Sequence, residues 1–292
     1  MCTKLFEPKV DYVFKNLFGS EKHPRILISF LNACIKPESP IVSVQLKNTE
    51  LSKEYIEDSF SRLDVLAKTD KGEIINIEMQ RADEKNMIKR SLYYWSKAFS
   101  GEYGGKSRYS ELPRTICINV IDFNLLLEEN YHNKYILKNT KTSNILTDTM
   151  EIHFIELPKM KEIDTKDALS MWTAFINDPN DDKVIELESM LEELHEARIE
   201  LARISRDPKE AENYRLRQNA MNERMNALLE AEDKGVAKGM AQGIAQGIAQ
   251  GMAQGEKLAK LEIAKTSLQN GLSFDIITQI TGLTIEEIEK LK

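Results

Sequence analysis

The chain has 292 residues, 41% of them hydrophobic and 30% charged, enough apolar side chain for one sizeable core with additions. Its net charge of −7 separates it from proteins that bind nucleic acid through overall basicity, and no stretch approaches the ~20 uncharged apolar residues of a bilayer span. The first residues lack the apolar run of a secretory signal, so the expected setting is the cytoplasm, with no membrane partner.

The charge is unevenly spread. Up to Asp122 there are 19 Lys+Arg against 17 Asp+Glu, which leaves 21 against 30 for the rest. Residues 85–114 carry Lys85, Lys89, Arg90, Lys97, Lys106, Arg108 and Arg114 against only Glu102 and Glu111. Such a stretch either contacts phosphates or forms the solvated face of a helix. Cys2, Cys34 and Cys117 are too scattered for a CxxC site or a disulfide framework, and His23, His132, His153 and His195 form no HxxxH pair. Zinc is therefore not expected. Cys34 and Cys117, set among apolar neighbours, read as small buried hydrophobes.

Residues 11–34 place Val13, Phe14, Leu17, Phe18, Ile26, Leu27, Phe30 and Leu31 at helical spacing, interrupted around Gly19 and Pro24. Two helices with a turn are expected. Residues 41–46 alternate as a strand does. Residues 62–69 and 73–80 are short apolar runs on either side of Asp70-Lys71-Gly72, which predicts a β-hairpin. A helical pattern returns over 84–103, followed by a buried strand at 115–122 and another at 150–157, ended by Pro158. This order predicts a mixed α/β domain with helices on a central sheet.

Beyond about residue 165 the periodicity is helical, with 185–206 reading as one long amphipathic helix. The tetrapeptide Gly-Met/Ile-Ala-Gln recurs from Gly239, Gly243, Gly247 and Gly251, extended by Gly235 and Gly255. A period of four drifts only ~40° per repeat on an α-helix, so a continuous helix is expected despite ~1 kcal/mol per glycine. It serves as a linker or a self-association segment, the second implying a homo-oligomer. Residues 258–292 predict two short helices joined at Gly282, with a Thr284–Glu287 capping box. The pattern resembles a helix-turn-helix, but Asp275, Glu286, Glu287 and Glu289 favour a small protein-interaction bundle. The expected divisions are 1–165, 166–234, 235–257 and 258–292.

The chemistry concentrates in the hairpin. Glu78 and Gln80 project from one face of their strand, and Asp64 joins them if the register is right. Both carboxylates interrupt apolar runs: Leu63, Val65 and Leu66 flank Asp64, and Ile74, Ile75 and Ile77 precede Glu78. A carboxylate in such a place needs a partner, and a metal is one. Mg²⁺ takes oxygen ligands and commonly uses one or two protein carboxylates, leaving room for water and a phosphate oxygen. Mn²⁺ is the second candidate.

The Asp64…Glu78-x-Gln80 arrangement resembles the PD-(D/E)XK nuclease signature, with Gln80 where Lys usually stands. Lys9-Val-Asp11-Tyr-Val-Phe-Lys15, Arg62-Leu-Asp64, Ile77-Glu-Met-Gln80, Arg90-xx-Tyr93-Tyr94 and the Gly-every-four tail are similar to the Rpn family of recombination-promoting nucleases and transposase-like proteins. The resemblance implies a restriction-endonuclease-like core with a mixed central sheet flanked by helices, then an all-helical C-terminal region. It implies Asp64 and Glu78 as metal ligands, Gln80 as the group that positions water or phosphate, and Asp11 as an acidic residue of the first helix. Asp11 reads equally as a helix N-cap. Gln80 carries no charge, so transition-state stabilisation must come from the metal or from a neighbouring base, for which Lys15 and Arg90 are the candidates. Lys15, Lys85, Lys89, Arg90 and Lys97 are the candidate contacts to DNA. The expected activity is Mg²⁺-dependent DNA cleavage in recombination or in a mobile element; the alternative is a non-catalytic module of the same fold that oligomerises and binds partners or nucleic acid.

Overall fold

The computed structural model describes residues 4–47, 64–101 and 108–291. Cys2, Arg62, Leu63, Glu102 and Lys106 lie outside them. The chain forms two compact units, Met1–Met225 and Asn226–Lys292.

In the first unit the helices α1 (Asp11–Phe18) and α2 (Pro24–Ile35) bury the apolar stripes expected of them, with Phe14, Leu17, Phe18, Ile26, Leu27, Phe30 and Leu31 almost fully enclosed. Pro24 opens α2 at its first position, where a missing N–H costs nothing. Then come β1 (Val44–Leu46), β2 (Val65–Thr69), β3 (Ile74–Gln80), α3 (Met87–Gly101), β4 (Thr115–Ile121), β5 (His132–Lys138) and β6 (Ile145–Glu156). The six strands form one sheet in the order β1-β2-β3-β4-β6-β5. Strand β4 runs parallel to β3 and β6, while the β1–β2, β2–β3 and β5–β6 pairs are antiparallel. The expected mixed sheet with flanking helices is what forms.

The hairpin turns at Asp70–Glu73, where Gly72 takes φ 82°, a left-handed conformation natural to glycine. The Glu73 N–H donates to Thr69 Oγ1. Side-chain parity then divides the sheet. Val65, Ala67, Ile75, Ile77, Met79, Ile116, Ile118 and Val120 face the main core with α1 and α2. Leu66 and Ile74 meet Tyr94 and Ala98 of α3 on the other face, as Cys117 and Ile121 meet Met87. Cys34 and Cys117 are both buried and unpaired.

Strand β5 is absent from the sequence-based expectation. It is an edge strand whose residues are only half-buried or exposed, so it carries no apolar alternation to detect. Residues 185–206 also differ from the single helix expected: α5 (Asp182–Leu187) ends before α6 (Glu192–Arg206), separated by Leu191 with extended backbone. With α4 (Ala168–Asn177), these helices pack Trp172, Phe175, Leu194 and Leu201 into the main core. Trp172 meets Phe18, Phe30 and Phe175 edge-on at 5.7–6.3 Å, a favoured aromatic geometry.

The helix α7 (Pro208–Gln269) contains the whole tetrapeptide repeat without a break, as expected. Met240, Ile244, Ile248 and Met252 are exposed, and a Cβ built on any repeat glycine meets nothing within 4 Å. In the second unit, α8 (Phe274–Thr281) and α9 (Ile285–Glu289) gather Ile277, Leu283 and Ile288 against Ala264. Gly282 joins them at φ 70°, and the Thr284–Glu287 capping box forms. Among the described residues no helix is long and apolar enough to cross a membrane.

Candidate metal and nucleic-acid site

The register decides where the carboxylates meet. Val65 pairs with Ile77, and one step further along the same ladder sets Asp64 opposite Glu78, just ahead of β2. Both then share the α3 face of the sheet with Gln80. Asp64 Oδ2 accepts the Met79 N–H at 2.8 Å, and the Asp64 N–H donates to the Glu78 carboxylate. Asn76 Nδ2 donates to Glu78 Oε1 at 3.2 Å.

Glu78 is only 2% exposed. Burial, followed by the neighbouring charge of Asp64, pushes its carboxyl up to about 8. Burial pushes Asp64 up to about 6, with the Met79 N–H opposing the rise, the Asp11 charge adding to it, and Arg90 and Lys15 opposing it. Facing carboxylates repel, and here the charge of half-buried Asp64 adds to the burial that raises the proton affinity of Glu78. Perturbed acids in a cleft are characteristic of functional sites.

Arg90 sits across this pair from the first turn of α3. Its Nη1 donates to Gln80 Oε1 at 3.1 Å, its Nη2 lies 3.8 Å from Glu78 Oε2, and its guanidinium stands 5.2 Å from the Tyr94 ring centroid. Gln80 Nε2 donates to the Ala82 carbonyl. A fixed guanidinium thus occupies the neighbourhood of the neutral Gln80.

A cleft of about 340 Å³ opens here, lined among others by Asp11, Asp64, Gln80, Arg90, Arg217 and Arg224. Asp11 stands at its mouth. It is not a helix N-cap: Val10 holds that position, no side chain caps the helix, and Asp11 Oδ1 accepts the N–H of the next residue, Tyr12. Its second oxygen lies 3.8 Å from Arg217 Nη1. Lys15, on α1, is close enough to Asp64 to stabilise its charge.

The basic stretch is only partly drawn together. Arg90 is in the site, and Lys97, two turns later on α3, has its ammonium 5.7 Å from the Tyr93 ring centroid. Lys89 is exposed. Lys85 takes φ 60° and pairs with Asp83 at 2.7 Å. Arg114 binds Glu73 and Glu151 at the opposite end of β4, ~20 Å of strand away.

The sequence reading missed the contribution of α7. Its first turns lie against the N-terminal segment, where Phe6 stacks on Tyr214 at 4.2 Å. Tyr12 donates to Glu210 and accepts from Asn213 Nδ2. This contact brings Arg217 and Arg224, seven residues apart and so on one helix face, to the cleft, where Arg224 pairs with Glu84. The seven-residue Arg spacing was the available signal, but nothing local says which surface the helix meets.

A mixed sheet whose hairpin turns Asp64, Glu78 and Gln80 to one face, beneath a helix carrying Arg90, is the core of a PD-(D/E)XK-type nuclease. The chain belongs to that class by family as well: the family model described as PD-(D/E)XK nuclease family transposase matches residues 8–231. Residues 257–292 match the model described as Rpn/YhgA-like nuclease family, C-terminal HTH domain. A search of curated proteins and of solved structures finds no match. The second match corrects the reading of residues 258–292 as a protein-interaction bundle. The acidic residues of α9 weighed against a helix-turn-helix, but the family match over this segment assigns one, and the Gly282 turn and the capping box are consistent with it.

Proposed function

We propose that this protein is a divalent-metal-dependent DNA endonuclease acting in recombination or in a mobile element. The observation that carries the reading is the pairing of Asp64 and Glu78: a half-buried and a fully buried carboxylate on one sheet face, both with proton affinities raised by desolvation, and that of Glu78 raised further by the charge of Asp64. Hydrogen bonds alone leave that charge incompletely compensated, and a hard cation fits the all-oxygen donor set. Asp64 and Glu78 would hold Mg²⁺, or Mn²⁺ in its place. Bound there, the cation would supply an acidified water and neutralise charge on the phosphate.

The chain's own groups do the rest. Arg90, locked by Gln80 and stacked near Tyr94, places two N–H donors where a scissile phosphate would gather charge, in the role that Gln80 cannot fill. Gln80, its orientation fixed through Ala82 and Arg90, positions water or phosphate. Lys15 tempers the charge of Asp64, and Asp11 faces the same cleft. Arg217 and Arg224 exchange their carboxylate partners for backbone phosphates when DNA enters, together with Lys89 and Lys97 along α3, while Lys85 extends this basic edge. The uncovered Gly-x-Ala-Gln stripe of α7 is assigned to self-association, which would present two such sites to a duplex.

Supercoiled plasmid incubated with protein and Mg²⁺ tests the proposal. Nicking by the wild type, none by Asp64→Ala and none in chelator are expected. Equal, negligible conversion by both proteins would favour the non-catalytic alternative, in which the fold binds partners without cutting.

A further inference from the structure

On the opposite face of the sheet, three residues far apart in sequence come together. Cys34 lies in the last turn of α2, His132 opens β5, and His153 stands two residues away across the β5–β6 ladder, where Lys134 is its direct partner. Cys34 Sγ is 3.7 Å from His153 Nδ1 and 3.9 Å from His132 Nε2, and the two ring nitrogens are 2.8 Å apart. We infer that Cys34, His132 and His153 form a zinc site independent of the Asp64–Glu78 pair.

The donor set selects the metal: a thiolate and two imidazoles suit zinc and are poor ligands for Mg²⁺. The spacing is also close to what zinc requires. Bonds of ~2.3 Å to sulfur and ~2.0 Å to nitrogen in a tetrahedron set S···N at about 3.5 Å and N···N at about 3.3 Å. Both sulfur distances fall within ~0.4 Å of this geometry, and the imidazoles need open by only ~0.5 Å.

A second feature orients the ligands. Glu151 Oε1 accepts from His153 Nε2 at 2.6 Å, while its other oxygen is held by Arg114 at 2.6 Å and Lys134 at 3.3 Å. That carboxylate–histidine pair places the ring proton on Nε2 and leaves the Nδ1 lone pair directed at Cys34 and His132, the arrangement that supports zinc-ligating histidines. Cys34 and His153 are almost fully enclosed, and the carbonyl end of α2 favours a cation. On binding, the Cys34 thiol releases its proton to solvent, and His132 carries its proton on Nδ1. Among the described residues no fourth His, Cys or carboxylate joins the group, so the fourth position falls to water on the side of half-exposed His132. The ion would tie the edge strand β5 to α2.

Sequence spacing argued against zinc because the motifs it searches are local, whereas this trio is assembled by the sheet. The test is metal content and cobalt spectroscopy on the full chain, reconstituted and passed through a desalting column. One zinc per chain is expected, retained by Asp64→Ala. Cobalt in its place should give a thiolate-to-cobalt charge-transfer band. His132→Ala, at the least buried ligand, should abolish stoichiometric retention, and Glu151→Gln should weaken zinc affinity ~10–100-fold. Because ligand variants could misfold, the wild-type cobalt spectrum stands as the independent measurement. A folded wild type that retains no zinc and shows no thiolate band would overturn the inference and leave a hydrogen-bonded Cys–His–His–Glu chain. Since the readout is metal and not cleavage, it is separable from the outcome of the plasmid assay.

Discussion

Replacing Glu78 by Gln should inactivate the protein and, without metal, stabilise it. The Glu78 carboxyl lies at about 8 in the folded chain against an ordinary 4.5. At pH 7 the unfolded chain ionises this group while the folded chain keeps it protonated, and at ~1.4 kcal/mol per unit the cost to folding is about 3 kcal/mol. The sign follows from the raised value: the stability is whole below about pH 4.5 and declines as pH rises towards 8. A Gln side chain keeps the shape and sheds the charge. After subtracting the lost attraction to Arg90, a net gain of about 1–3 kcal/mol is expected in chelator at pH 7. Mg²⁺ at ~100 times its dissociation constant should then stabilise the wild type by about 2.7 kcal/mol and leave Glu78→Gln unmoved. Urea denaturation of both proteins, with chelator and with Mg²⁺, measures all four values. A variant less stable than the wild type in chelator would refute the reasoning, because Glu78 would then be a satisfied structural carboxylate.

Cation affinity should depend on pH. Between about pH 6 and 8 binding displaces one proton from Glu78, so affinity measured by Mn²⁺ titration should rise ~10-fold per unit, steepening below 6 where Asp64 adds a second proton and flattening above 8; a flat profile would count against a shared cation. Reversing Lys89 and Lys97 to Glu should weaken binding to any duplex and reduce the slope of log affinity against log salt by ~2, and unchanged binding would make α3 an ordinary solvated face. Arg90→Lys keeps a charge but loses the two-pronged hold on Gln80 and Glu78, so single-turnover cleavage should fall by at least ~10-fold; undiminished cleavage would remove Arg90 from the site. Deleting residues 239–254 takes out four whole repeats and should lower the mass seen by light scattering, and a wild type already monomeric at micromolar concentration would make the repeat a spacer.

What the sequence disclosed and what it withheld differ in range. The hairpin was legible because its turn and its two apolar runs lie within 19 residues, and because a period of two fixes which side chains share a face. That placed Glu78 and Gln80 on one face, with Asp64 joining them only if the register allowed, and their assignment to a metal site came from the family resemblance. The edge strand β5 was not, since Lys134, Tyr135, Leu137 and Lys138 are exposed and no buried face writes a pattern into it. Arg217 and Arg224 reach the cleft through the packing of Tyr12 and Phe6 on α7, with 198 residues or more between the partners. Asp11 looked like a cap because it precedes an apolar run, yet the helix begins one residue earlier. The helix-turn-helix was visible in its turn chemistry and was set aside on charge, a property that bears on what a domain binds rather than on how it folds.

The most direct test of the account is the anomalous scattering of Mn²⁺ in crystals of the wild-type protein grown at pH 8, where both carboxylates are available. A peak within ~2.0–2.3 Å of oxygens from both Asp64 and Glu78 is expected, absent from Glu78→Gln crystals grown alongside. A peak touching neither carboxylate, or occupancy unchanged in the variant, would contradict it.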